Sequence, residues 1–140
     1  MQPTDPPPVL LTLPPRWPRD ADPGAGVLAR ARPPAARAAR RPEVVLRLGS
    51  TDDSRLQALA VDDEDAFDLD GRPVRYRRYV HRGPDGELVT EEWSWRFDDP
   101  HVDDEPVEVT LTASVDPADY ETWCDVFEAI AATVAPAPRE

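Results

Sequence analysis

Val107-Glu108-Val109-Thr110-Leu111-Thr112-Ala113-Ser114-Val115 alternates apolar and polar residues without a break. After Asp116-Pro117-Ala118-Asp119, the residues Tyr120, Trp123, Phe127, Ile130 and Val134 recur every three or four positions. A period of two is a strand with one buried face, and a period near 3.6 is a helix with one apolar stripe. Asp116 stands where a helix cap belongs, Pro117 suits the first helical position, and Asp119 opposes the positive end of the helix dipole. Trp123, the largest residue of the stripe, is expected to anchor it. A strand that runs directly into a helix of this kind predicts a sheet with the helix lying on it, the closing unit of a small α+β domain.

Upstream, Leu88 to Phe97 reads as the preceding strand, with Val89, Trp93, Trp95 and Phe97 on one face and Leu88, Thr90, Glu92, Ser94 and Arg96 on the other. Gly83-Pro84-Asp85-Gly86 predicts the hairpin that joins it to a strand over Val74 to His81. Glu43 to Leu48 and Val27 to Arg32 read as two more strands, separated by the basic loop PPAARAARRP at 33–42. Val9 to Leu13 reads as a first strand that breaks at Pro14-Pro15 into a stiff loop around Trp17. Residues 50–61 fit either a short helix carrying Leu56, Leu59 and Ala60 or a strand, and the helix is slightly favoured. The expected architecture is thus α+β, a largely antiparallel sheet of about six strands backed by a C-terminal amphipathic helix. Its expected bounds are a flexible segment at 1–8, one domain over 9–135 and a flexible tail at 136–140, since proline at both ends denies helix and sheet their donors.

The chain has 140 residues, 18 prolines and a net charge of −12, enough for one core and too little for two. Every one of its 16 basic residues is arginine, which with the abundant Ala, Pro, Asp and Val points to a GC-rich, actinobacterial genome, with a salt-adapted archaeal origin as the alternative. Up to Arg47 the eight arginines exceed the acids by four, whereas the other 93 residues carry −16. That balance argues against nucleic acid as a partner and for a basic protein partner or plain solubility. No basic patch followed by an apolar run opens the chain and no stretch is long and apolar enough to span a bilayer, so the expectation is a cytoplasmic protein with no membrane insertion. Cys124, the single cysteine, offers neither a disulfide nor a zinc site and is expected to be a small buried hydrophobe.

Three pieces of the chain together resemble one family. These are Leu13-Pro14-Pro15-Arg16-Trp17 after the first strand, the turn Asp70-Gly71-Arg72-Pro73 entering a meander with Trp93-Ser94-Trp95, and Val109-Thr110-Leu111-Thr112-Ala113 followed by the Tyr120 to Val134 helix. They are similar to the PsbP-like superfamily, particularly its actinobacterial LpqN-type branch, and Arg16 stands where that family usually has glycine. The resemblance implies a non-enzymatic binding or adaptor domain whose partners are proteins.

The residues themselves offer no strong catalytic constellation. Asp98-Asp99-Pro100-His101-Val102-Asp103-Asp104-Glu105 holds oxygen ligands, but a calcium loop needs regular spacing around a glycine turn, so a solvated acidic loop is expected there. Asp62-Asp63-Glu64-Asp65 is expected to be a second such loop, and His81 an ordinary rim histidine. Without a phosphate loop, a nucleophile elbow or a paired His/Cys set, the sequence predicts no enzyme, no metal and no cofactor. Candidate partner-binding residues are Trp17, which in its proline-stiffened loop could line a groove, the acids Asp98, Asp99, Asp103 and Asp104, and Arg37, Arg40 and Arg41 of the basic loop as a docking patch for an acidic segment. Three functions fit: an adaptor or secretion-associated chaperone, an acidic immunity-type inhibitor of a basic toxin, and a small-molecule or lipid carrier with a cavity between sheet and helix.

Overall fold

A computed structural model describes residues 9–19, 26–33, 42–49, 60–83, 86–98 and 106–136. Two short strands, β1 (Val9–Leu10) and β8 (Ala135–Pro136), form a ladder of their own. The other strands are β2 (Val27–Ala31), β3 (Glu43–Leu48), β4 (Ala60–Leu69), β5 (Arg72–Gly83), β6 (Gly86–Asp98) and β7 (Pro106–Val115). They make one sheet in the order β2-β3-β7-β6-β5-β4, antiparallel at every junction. One helix, α1 (Tyr120–Ala131), follows β7 after a 3-10 turn at Pro117–Asp119.

The architecture is the α+β arrangement expected, but its sixth strand is a different one. The apolar run at Val9 to Leu13 joins the small ladder, in which only Val9 and Leu10 pair, and Arg19 rather than that run bridges to Ala31 on β2. The place in the sheet goes to β4, so Ala60 and Val61 are strand and not helix, while residues 50–59 of the ambiguous stretch lie outside the described residues. The acidic run Asp62-Asp63-Glu64-Asp65 is likewise strand and not loop. In the register Asp63 faces Arg78 and Glu64 faces Arg77 across the β4–β5 ladder, and opposite charges on facing positions favour a pairing that poor strand propensity opposes. At its end Asp70 and Gly71 both take positive φ, 52° and 81°. This is the two-residue turn whose twist matches a hairpin, and Asp-Gly suits it.

Burial is decided by the period of two. From β7, Val109, Leu111 and Ala113 are fully buried. Their register partners on the same face include Leu46 and Val44 of β3 and Trp93 and Trp95 of β6. Against this face pack Phe127, Ile130, Ala131 and Val134. The stripe of α1 deepens along its length, so Phe127, with no exposed surface, is the anchor, whereas Trp123 is only half-buried and belongs to the rim of the core. Asp116 makes no side-chain cap; the chain enters the helix through the 3-10 turn, where the Asp119 N–H bonds the Asp116 carbonyl at 2.9 Å. Cys124 is half-buried rather than a core residue. Pro136, counted with the tail on sequence grounds, stands opposite Val9 in the small ladder.

Candidate functional site

Of the partner-binding candidates singled out in the sequence, only Trp17 and Asp98 fall within the described residues. Trp17 is half-buried and meets Trp123 edge to face at 5.8 Å between ring centroids. Part of its apolar surface is therefore spent within the chain. Asp98 is the last residue of β6, in register with Pro106. Asp99, Asp103, Asp104, Arg37, Arg40 and Arg41 lie outside the described residues.

What the strands do assemble is a second, polar face opposite α1. Because side chains alternate, the residues between the core positions of β5, β6 and β7 converge there. His81 Nε2 lies 2.9 Å from Thr90 Oγ1, which lies 2.8 Å from Ser114 Oγ, so three strands are crossed by one hydrogen-bonded line. Burial lowers the pKa of His81, and its ring sits 5.8 Å from that of Tyr79. Beside it, Arg77 donates to Glu92 at 2.9 Å, with Glu92 only 1% exposed. The Tyr79 hydroxyl points to the same carboxylate at 3.4 Å, and burial together with that negative charge pushes the phenol up to about 12. Ser94 Oγ and Thr110 Oγ1 are 3.3 Å apart, and Thr110 donates onward to the Gly49 carbonyl at 2.8 Å. These groups hold one another, as buried polar groups must. Nothing in the line orients His81 toward an acid as a catalytic base requires.

Toward β4 this face becomes exposed and concave. A groove of about 580 Å³ is lined by Ala66, Asp68, Pro73, Arg75, Ser94, Arg96 and Glu108 among others. Its shape follows from side-chain length: Ala66, Pro73 and Ser94 are short, and the longer charged side chains stand around them. Arg75 faces Ser94 and Arg96 faces Glu108 across their ladders. Among the described residues neither Arg75 nor Arg96 makes an ion pair. Beyond the groove runs β4, the last strand of the sheet, with one described neighbour only. Asp63, Glu64, Asp65, Ala66 and Asp68 are all exposed along it. The two-residue turn makes Leu69 and Arg72 a hydrogen-bonded pair, so by alternation the Ala66–Arg75 pair exchanges no ladder bonds, and the Ala66 N–H bonds the Asp65 carboxylate at 2.8 Å. That places Ala66, and by alternation Glu64 and Asp68, at the positions whose backbone points outward from the sheet. A signal for this edge was present in the sequence, since Asp70-Gly71 between Leu69 and Val74 is a hairpin turn and demands a strand before it.

On the helix face the notable polar group is Glu91, 5% exposed among core residues. The Tyr76 hydroxyl donates to it at 2.5 Å. Desolvation raises the pKa of Glu91, against the opposing pull of the tyrosine hydroxyls and Arg78, while Glu128 adds to the rise. Arg78 in turn donates to the Tyr120 hydroxyl at 3.2 Å and lies over its ring. Among the described residues no group of three or more acidic, histidine or cysteine side chains is arranged to hold a metal ion, and no helix is long and apolar enough to cross a membrane.

No family model matches the sequence, and no curated protein matches it. Solved structures do match. LpqN of Mycobacterium tuberculosis, described as involved in cell envelope biogenesis, superimposes with a TM-score of 0.67 at 14% identity, over 93% of this chain and 83% of its own. The cyanobacterial PsbP of Synechocystis sp. PCC 6803 gives a TM-score of 0.61 at 14% identity, over 93% and 87%. The fold is PsbP-like. A Pseudomonas aeruginosa protein of unknown function, PA94, superimposes with a TM-score of 0.58 at 15% identity, over 86% and 89%. At such identities the likeness is one of backbone, and function has to be argued from the surfaces.

Proposed function

We propose that this PsbP-like chain is a non-enzymatic protein-binding domain, an adaptor or secretion-associated chaperone, that takes its partner in the groove beside β4. The observation that carries this reading is the groove itself: an exposed concavity with a small-residue floor and two arginines that no acid of the described chain engages. In a protein of net charge −12, arginines without ion pairs among the described residues, next to a concavity, supply orientation to a partner, with hydrogen bonds that a guanidinium makes in a fixed fork. Small-molecule pockets are enclosed, whereas this groove is open to solvent, which favours a protein surface. The carrier alternative needs a cavity between sheet and helix, but the core there is filled by Trp93, Leu111, Phe127 and Ile130. The backbone likeness to LpqN, a protein involved in cell envelope biogenesis, is in keeping with such a binding role. The acidic inhibitor remains the second reading, supported by the exposed acids of β4.

The test is capture of a partner from the native host by the wild-type chain and by Ser94→Arg, which fills the groove floor. A partner held by the wild type and by Arg16→Gly but lost with Ser94→Arg supports the reading. Equal retention by Ser94→Arg moves the interface off this face.

A further inference from the structure

We propose that the outer edge of β4, unpaired among the described residues, accepts a basic, extended peptide segment as a seventh strand of the main sheet. The inference rests on the protein-binding reading and names the kind of partner. At the other end of the sheet, β2 is bridged by Arg19 at Ala31, so its edge is engaged. The β4 edge has no such cover among the described residues, and β4 is 10 residues long. Outward-pointing N–H and C=O groups at Glu64, Ala66 and Asp68 are a template for main-chain hydrogen bonds, the basis of recognition by strand addition.

Charge selects the occupant. A second copy pairing β4 against β4 would bring Asp63, Glu64, Asp65 and Asp68 against the same four acids, and like charges on facing positions destabilise a ladder. An arginine- or lysine-bearing strand meets the opposite sign at each of these positions. Asp65 also explains how the edge is kept from indiscriminate pairing. Its carboxylate holds the Ala66 N–H, and a cationic side chain that draws the carboxylate away releases that donor to the incoming carbonyl. Specificity would come from the adjoining groove, because Ala66 and Asp68 border it and alternate side chains of an added strand would lie on the same face as its Arg75 wall on β5.

The experiment uses the full chain and, as probe, a ten-residue peptide of alternating arginine and valine, matched to the length of β4. Binding is followed by fluorescence anisotropy, and backbone amide exchange reports where the peptide sits. Strand addition predicts slowed exchange at Glu64, Ala66 and Asp68. It also predicts about a tenfold weaker affinity, or less, for the same peptide N-methylated at alternate residues, which keeps its charge but loses its donors. Ala66→Pro removes an outward donor at a position where an edge strand tolerates proline, and is expected to abolish the protection. Because that variant could disturb the hairpin, Asp65→Lys with Asp68→Lys is measured as well, and should lose binding with the circular dichroism of the wild type retained. Equal affinity for the N-methylated peptide, equal affinity for a glutamate–valine counterpart, or protection appearing on β6 and β7 alone would each overturn the proposal. So would concentration-dependent self-association protecting β4, which would make a second copy the occupant. If the β4 variants bind the peptide normally while Ser94→Arg still abolishes capture of the host partner, strand addition falls and the protein-binding reading stands.

Discussion

Arg16 sits at φ 74°, in the left-handed region that side chains with a Cβ avoid. Pro15 precedes it, and the Trp17 N–H returns to the Pro14 carbonyl at 3.3 Å, so the four residues form a type II turn with arginine where glycine is preferred. Arg16→Gly should therefore raise stability by about 1 kcal/mol, as relieved left-handed strain exceeds the added freedom of the unfolded chain. Urea unfolding checks it, and a loss of stability would mean that the arginine side chain contributes more than its backbone costs. Glu91 makes the opposite kind of case, a carboxyl whose charge the fold disfavours. Since its pKa is raised in the folded state, its contribution is fully favourable below the unfolded value, near 4.3, and is lost as pH rises through the folded value. Glu91→Gln should thus gain on the wild type between about pH 4 and about pH 7, with unfolding curves at the two pH values as the measurement. A difference that shrinks over that interval would show that Tyr76, Tyr120 and Arg78 stabilise the carboxylate outright.

At the scale of the element, α1 is held by its second half. Phe127→Ala is expected to cost about 3 to 5 kcal/mol as a fully buried aromatic truncation, and Trp123→Ala, half-buried against Trp17, about 1 to 2 kcal/mol; thermal or urea unfolding ranks the two. The stripe was legible in the sequence because spacing reports a face, but spacing carries no depth, and so Trp123 reads as the anchor by size while Phe127, one turn on, is the residue fully buried. The same limit explains β4. Strands β2, β3, β5, β6 and β7 announce themselves through alternating or continuous apolar residues, whereas β4 consists largely of acids whose partners, Arg77 and Arg78, are known only once the register is. Cross-strand charge is a tertiary fact that local propensity opposes. The groove was illegible for a related reason, since it is defined by short residues on different strands, Ala66, Pro73 and Ser94, that nothing in the linear order connects.

For the molecule as a whole, the formal charge of −12 sets how a basic partner arrives. Association should slow steeply with added salt, because attraction beyond a Debye length of about 8 to 10 Å is screened at physiological ionic strength. Dissociation, governed by contacts already made, should change far less. Stopped-flow association at several salt concentrations measures it, and a salt-independent on-rate would place the partner away from the acidic surface. The small ladder of β1 and β8 has a mechanical consequence. Val9 stands opposite Pro136 and Leu10 opposite Ala135, so the N-terminal end of one strand lies beside the C-terminal end of the other. A force applied through the two ends peels this ladder open one rung at a time instead of shearing its bonds together. Beyond it, the Thr12 N–H bond to Thr133 Oγ1, at 2.9 Å, is the next to be loaded. Tension on the C-terminal side would then reach α1 through Val134 before β7, and on the N-terminal side the Arg19 bridge to β2. The β1–β8 zipper is thus a fuse that yields first while the groove and the edge of β4, at the far end of the sheet, keep their shape.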